Sequence, residues 1–153
     1  FDGVEQMPKI SRFLFGDWLR TLRQEKIRHE EGMTCFGSGY VSRRGISHYR
    51  KISLSSSFLL VDDEIKGVQR KAELRWRLAP GEWELFHEND GVKARSPSYP
   101  GFSLFVYADV RLVRCELKQG WESKHYLEKT PLTVLELEVE SCCKFSTEVR
   151  WRN

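Results

Sequence analysis

At 153 residues the chain has the length of one domain, spanning 1–153, and is long enough to bury roughly two-thirds of its unfolded surface without obligatory disulfide or metal staples. Hydrophobic content of 40% and charged content of 31% are those of a globular protein, and no apolar run approaches the roughly 20 residues that a helix needs to span a membrane. The net charge of +3 comes from cations spread along the chain, which fits an anionic partner, but no glycine-punctuated aromatic motif, zinc-finger spacing or basic helix points to nucleic acid.

In chain order, Phe1 to Arg12 reads as an irregular entry, with a turn at Asp2-Gly3 and Pro8 barring a long helix. Phe13 to Ile27 fits either a helical apolar stripe or a strand from Trp18 to Arg23 that continues to Ile27, and the strand is the expectation. His29 to Gly32 reads as a polar turn, and Met33 to Ser42 as extended chain. Ser47 to Leu54 alternates, with His48, Arg50 and Ile52 on one face and Tyr49, Lys51 and Ser53 on the other. Three serines then turn the chain into Phe58 to Val61, an apolar run expected to stop at Asp62, Asp63 and Glu64 before Gly67.

Ala72 to Leu78 alternates apolar with charged residues and is broken by Pro80-Gly81. Trp83 to His87 and Val92 to Arg95 flank Asn89-Asp90-Gly91 as a hairpin. Gly101 to Ala108, Val110 to Leu117, Leu132 to Glu140 and Lys144 to Arg152 are four further strands, the third turning Leu135, Leu137 and Val139 inward. Short strands with turn signals every eight to twelve residues or so predict an all-β antiparallel sandwich or barrel with little or no helix.

Among residues that carry chemistry, His48 stands two positions before Arg50, so one strand face presents an imidazole and a guanidinium. That pair suits a carboxylate or sulfate, or a metal held by the imidazole with Arg50 on a neighbouring acid. It equally suits a hydrogen-bonded histidine packed beside a structural arginine. Asp17, between Gly16 and Trp18, is a candidate partner or a turn residue. Asp62, Asp63 and Glu64 read as turn caps or as ion-pair partners of Arg43, Arg44 or Lys66. Tyr40, Tyr99, Tyr107 and Tyr126, with Trp76, Trp83 and Trp121, include candidates for a sugar-stacking platform and equally for core positions. His125-Tyr126, expected in a loop after Gly120-Trp121, is a weak acid–base pair. Cys35, Cys115 and Cys142-Cys143 have no zinc spacing and read as free thiols, with a bridge from Cys35 to Cys142 or Cys143 left open. No nucleophile elbow, phosphate loop, dinucleotide fingerprint or H-E-x-x-H occurs.

Asp2-Gly3-Val4-Glu5-Gln6, Gly39-Tyr40, His48-x-Arg50, Asp63-x-Ile65-x-Gly67 and Leu78-Ala79-Pro80-Gly81 come in an order that resembles the C-terminal β-domain of heparinase II/III-like polysaccharide lyases. Gly120-Trp121 with Ser123 and Tyr126, and the late Phe145-Ser146-Thr147, extend the resemblance over nearly the whole chain. It implies a multi-strand antiparallel supersandwich following an N-terminal α/α toroid. It also implies cleavage of acidic, uronate-containing polysaccharides such as glycosaminoglycans by β-elimination in an interdomain cleft. The family's catalytic tyrosine and its carboxylate-neutralising asparagine or histidine belong to the toroid. A chain that opens at Phe1 is therefore expected to be the sandwich half of a longer protein, inactive alone, with no catalytic residue of its own. The resemblance further implies a possible zinc or other divalent metal, with His48 and Asp17 in compatible positions, and substrate contacts from Tyr40, Arg43, Arg44, His48 and Arg50. A bacterial parent would be periplasmic or secreted. A non-catalytic carbohydrate-binding module or a purely structural sandwich is the alternative.

Overall fold

The computed structural model describes residues 1–12, 14–88, 91–125 and 128–152. Among them are twelve strands and no helix: β1 (Arg20–Gln24), β2 (Arg28–Glu30), β3 (Met33–Val41), β4 (Ser47–Leu54), β5 (Phe58–Lys66), β6 (Ala72–Arg77), β7 (Glu84–Glu88), β8 (Gly91–Arg95), β9 (Phe102–Ala108), β10 (Arg114–Glu122), β11 (Thr130–Val139) and β12 (Cys143–Trp151). No helix is long and apolar enough to cross a membrane. Every strand pairing is antiparallel. A nine-stranded sheet runs β1-β3-β4-β5-β12-β9-β8-β7, with β2 sharing the β3 edge, and a three-stranded sheet runs β10-β11-β6.

The two sheets bury each other's alternate residues. From the large sheet come Val61 and Ile65, Phe145 and Val149, Leu104 and Val106, and Val92 and Ala94, all buried. The small sheet answers with Ala72, Leu74, Leu135, Leu137 and Val139, so the expected inward set of β11 is borne out. Trp76 Nε1 donates to Thr147 Oγ1 at 3.2 Å, a polar tie between sheets. The outward face of the small sheet is a ladder of paired charges, in which Glu136 accepts from Arg75 Nε at 2.7 Å and Lys118 Nζ at 2.6 Å.

Three strands cannot cover nine. The small sheet stops at β6, and the inner face of β3 and β4 beyond it is capped by the N-terminal segment. Asp2 holds that cap: its carboxylate accepts from the backbone N–H groups of Gln69, Arg70 and Lys71 at 3.1, 2.7 and 2.9 Å, which keeps its pKa below the ordinary value. The expected Asp2-Gly3 turn is therefore also a clamp across 67–69 residues of sequence.

Several expected boundaries move. β5 does not end at Val61 but runs to Lys66, so Asp62, Asp63 and Glu64 lie within a strand rather than capping a turn. The stop is Gly67, at φ 82°, where a Cβ would meet Gly45 O at 2.7 Å. His29 and Glu30 belong to β2, and the turn is Glu31-Gly32 alone, both left-handed at φ 51° and 75°. β10 starts at Arg114 rather than Val110 and runs past the expected end at Leu117 through Gly120-Trp121 to Glu122. The β7–β8 hairpin stands in the register Glu88↔Gly91, while Asn89 and Asp90 fall outside the described residues.

Candidate functional site

On β4 the alternation turns His48 and Arg50 to the inner face. β3 brings Tyr40 opposite His48, and β5 brings Asp63 opposite Arg50. Asp63 is the centre of the cluster, with a side chain that is 0% exposed. Its Oδ1 accepts from His48 Nε2 at 2.5 Å and from Arg50 Nε at 2.6 Å, and its Oδ2 accepts from Arg50 Nη2 at 2.9 Å. Burial pushes the Asp63 carboxyl up, but these bonds outweigh it and leave the group below its ordinary value. The Arg50 guanidinium also stacks on Trp76, 5.1 Å from the ring centroid.

Two rings close on the imidazole edge-on, Tyr40 at 5.4 Å and Phe1 at 6.0 Å between centroids. Tyr40 Oη accepts from Gln6 Nε2, and burial pushes its phenol up to about 12, so it is no base near neutral pH. Beside the cluster opens a cavity of about 610 Å³ between the N-terminal cap and the β6 edge, lined by Phe1, His48 and Arg50 on one side and Lys71, Glu73 and Arg75 on the other.

Arg43 and Arg44 stand exposed on the β3–β4 turn, whose backbone is closed by Gly45 N–H to Ser42 O at 3.0 Å. They border a smaller cavity of about 30 Å³ together with Tyr40 and Asp17. Asp17 has φ 52°, the left-handed geometry of a turn-forming Asp. The fold thus gathers His48, Arg50 and Tyr40 into one cluster, and sets Asp17, Arg43 and Arg44 around the neighbouring hollow.

For a metal ion the residues present do not fit. Among the described residues no group of three or more His, Cys, Asp and Glu side chains converges on one point. Both Asp63 oxygens are taken by the Arg50 fork, a cation that opposes a second one at the same carboxylate. The Arg50 fork spent on Asp63 is likewise not free to grip a substrate carboxylate in bidentate fashion.

The residue that sequence reading missed is Asp63, which it treated as part of a turn. The signal was present: in a hairpin closed by Ser55 to Ser57, Leu54 faces Leu59, and four residues further out on each strand Arg50 faces Asp63. Its neighbours play other parts, Asp62 accepting from Ser146 Oγ at 2.8 Å and Glu64 pairing with Lys66 at 3.0 Å, the latter as one alternative anticipated. Trp76 serves the core and Arg50, while Trp83 donates to Ala79 O at 2.8 Å and meets Phe102 edge-on. Trp121, 47% exposed, carries Lys129 Nζ 4.4 Å above its ring. Tyr126 lies outside the described residues, and His125 is exposed. All four cysteines are free thiols, Cys35 donating to Ser53 Oγ and Cys142 accepting from Gly67 N–H.

The comparisons agree with this architecture. No curated protein matches the sequence. Among solved structures, a heparinase III (the BT4657 gene product) superimposes with a TM-score of 0.64 at 13% identity, covering 84% of this chain and 21% of that one. Heparan sulfate lyase HepC from Pedobacter heparinus superimposes with a TM-score of 0.65 at 15% identity, covering 86% of this chain and 22% of that one. The chain therefore spans about a fifth of the length of the structures it matches. The family model described as "Heparinase II/III-like, C-terminal" matches residues 1–152, and this all-β sandwich belongs to that family.

Proposed function

We propose that the chain is the C-terminal domain of a polysaccharide lyase that cleaves acidic, uronate-containing polysaccharides by β-elimination. In this reading it packs against an N-terminal α/α toroid of the same protein, forms one wall of the interdomain cleft, and does not catalyse alone. β-Elimination needs a base for the proton beside the uronate carboxylate, an acid for the leaving oxygen and positive or hydrogen-bonding groups for the enolate-like intermediate. The described cluster offers groups of the last kind, since Tyr40 has a raised pKa and Asp63 is saturated with donors.

What carries the reading is the distribution of exposed apolar side chains. Of the thirteen large hydrophobics exposed among the described residues, seven fall between Met7 and Ile27, with Trp18 at 74% and Ile10 at 66%. Such a concentration on one edge of a sheet marks a surface to be covered. The occupant we assign is the toroid, because Pro8, Asp17 and Leu19 of this segment border the small hollow beside Tyr40, Arg43 and Arg44, and because the matching structures are about four times as long as this chain. The exposed arginines Arg43 and Arg44 beside that edge suit an anionic chain at the cleft rim. A free-standing carbohydrate-binding module would instead present coplanar exposed rings, whereas the Trp83 and Tyr99 rings stand 34° apart with centroids separated by 6.3 Å.

The test is the release of unsaturated uronate, followed by its absorbance, from a panel of uronate polysaccharides. The full-length parent is expected to cleave at least one, and the 153-residue chain none. Cleavage by neither, with glycan binding by the chain alone, would overturn the lyase reading in favour of the binding module.

A further inference from the structure

The site contains a ring whose proton the fold assigns. Asp63 is wholly buried and already accepts two N–H bonds from Arg50, so both of its oxygens act as acceptors. An imidazole nitrogen 2.5 Å from such a carboxylate oxygen is a donor. A neutral imidazole has one N–H to give, and here it is on Nε2, which leaves the lone pair on Nδ1. Nδ1 makes no hydrogen bond to a described residue. Ser42 Oγ is the one buried side-chain polar atom among the described residues that lacks a partner, so Nδ1 is not sealed off, and His48 is one of the residues that line the cavity. The edge-on rings of Tyr40 and Phe1 restrict rotation of the imidazole out of this arrangement.

We propose that Asp63 is the positioning residue of this site: backed by Arg50, it fixes the Nε2–H tautomer of His48 and turns Nδ1 to the cavity as an acceptor for a hydrogen-bond donor, such as a sugar hydroxyl. Only the identity of that donor rests on the lyase reading; the tautomer does not. Arg50 acts through Asp63, its fork holding the carboxylate in the plane that His48 meets. The arrangement lets one geometry of three side chains define a single acceptor atom without a metal ion.

Long-range proton–nitrogen NMR on histidine-labelled chain tests this directly, with His48→Gln identifying the His48 signals. In alkaline solution the wild-type spectrum is expected to show a protonated Nε2 and an unprotonated Nδ1. In Asp63→Ala the acceptor for Nε2–H is gone, so the ring is expected to exchange between its two tautomers and the two nitrogen shifts to move towards each other. Arg50→Lys leaves the carboxylate in place and the tautomer unchanged. A wild-type ring protonated on Nδ1, whether alone or with Nε2, or an Asp63→Ala ring with the wild-type nitrogen shifts, overturns the proposal. The wild-type spectrum decides even if Asp63→Ala does not fold. An inactive full-length parent alongside the Nε2–H tautomer supports the positioning role while overturning the lyase reading.

Discussion

Replacing Asp63 by Ala tests whether the buried cluster is as tightly coupled as its geometry indicates. The substitution removes a carboxylate that is 0% exposed and accepts three bonds at 2.5, 2.6 and 2.9 Å. Removing one partner of a buried ion pair costs about 3–5 kcal/mol, because the remaining charge loses its compensation. Arg50 is 35% exposed and borders the cavity, so water reaches it once the carboxylate is gone, and the lower end of about 3 kcal/mol is expected. Asp62 is the internal control. It is the next residue on the same strand, points to the opposite, solvent-facing side and makes one bond to Ser146, so Asp62→Ala is expected to cost about 0.5 kcal/mol. In urea unfolding with a slope of about 2 kcal/mol per molar, these figures are midpoint shifts of about 1.5 M and about 0.25 M. The sign of the pH dependence follows from the lowered Asp63 pKa. Its contribution is complete above the ordinary value of 3.8 and is lost as the pH falls through the lower folded value, so the Asp63→Ala deficit should shrink in acid. Midpoints for the two variants that agree within error would refute the cluster as a cohesive unit.

Other consequences are open to equally direct checks. Burial works against an ionised Glu136, yet bonds from Lys118 and Arg75 outweigh it and bring the carboxyl down to about 2. Glu136→Gln should therefore cost on the order of 2 kcal/mol at pH 7, less than full linkage because Arg75 and Lys118 remain partly exposed, and its denaturation curve should converge with wild type as the pH falls from about 4.5 towards 2. Gly39→Ala should destabilise by about 1–3 kcal/mol in the same assay, since its Cβ would meet the His48 carbonyl oxygen at 2.9 Å and force the β3–β4 backbones apart. Alkylation followed by peptide mass spectrometry should find exposed Cys142 modified first, and Cys143, whose thiol burial pushes up to about 12, modified last.

Much of this fold was legible because the sandwich repeats one rule. Where one face is buried and the other wet, the alternation of Ala72, Leu74 and Trp76 or of Leu135, Leu137 and Val139 states both the strand and its orientation. Legibility failed where a charge sits inside. Asp62-Asp63-Glu64 looks like the end of a strand, because a buried carboxylate is rare and its justification, Arg50 and His48, lies on the partner strand. The family pattern could single out His48 and Arg50 but not the way Arg50 is engaged, which depends on register. Chain position alone also gave no hint that Asp2 would cap three backbone amides next to β6. The edge strands β1 and β2 were blurred for the opposite reason: every residue in them is exposed, so hydrophobic period has nothing to report.

The central claim is that the apolar N-terminal edge joins this sandwich to a toroid and that the joint is needed for cleavage. Leu14 and Trp18, 53% and 74% exposed, contribute little to the sandwich itself. The double variant Leu14→Asp/Trp18→Asp, made in the full-length parent, should keep the urea midpoint of the sandwich while polysaccharide cleavage falls at least about tenfold, the equivalent of some 1.4 kcal/mol. Unchanged cleavage by that variant, or cleavage by the 153-residue chain alone, would contradict the account.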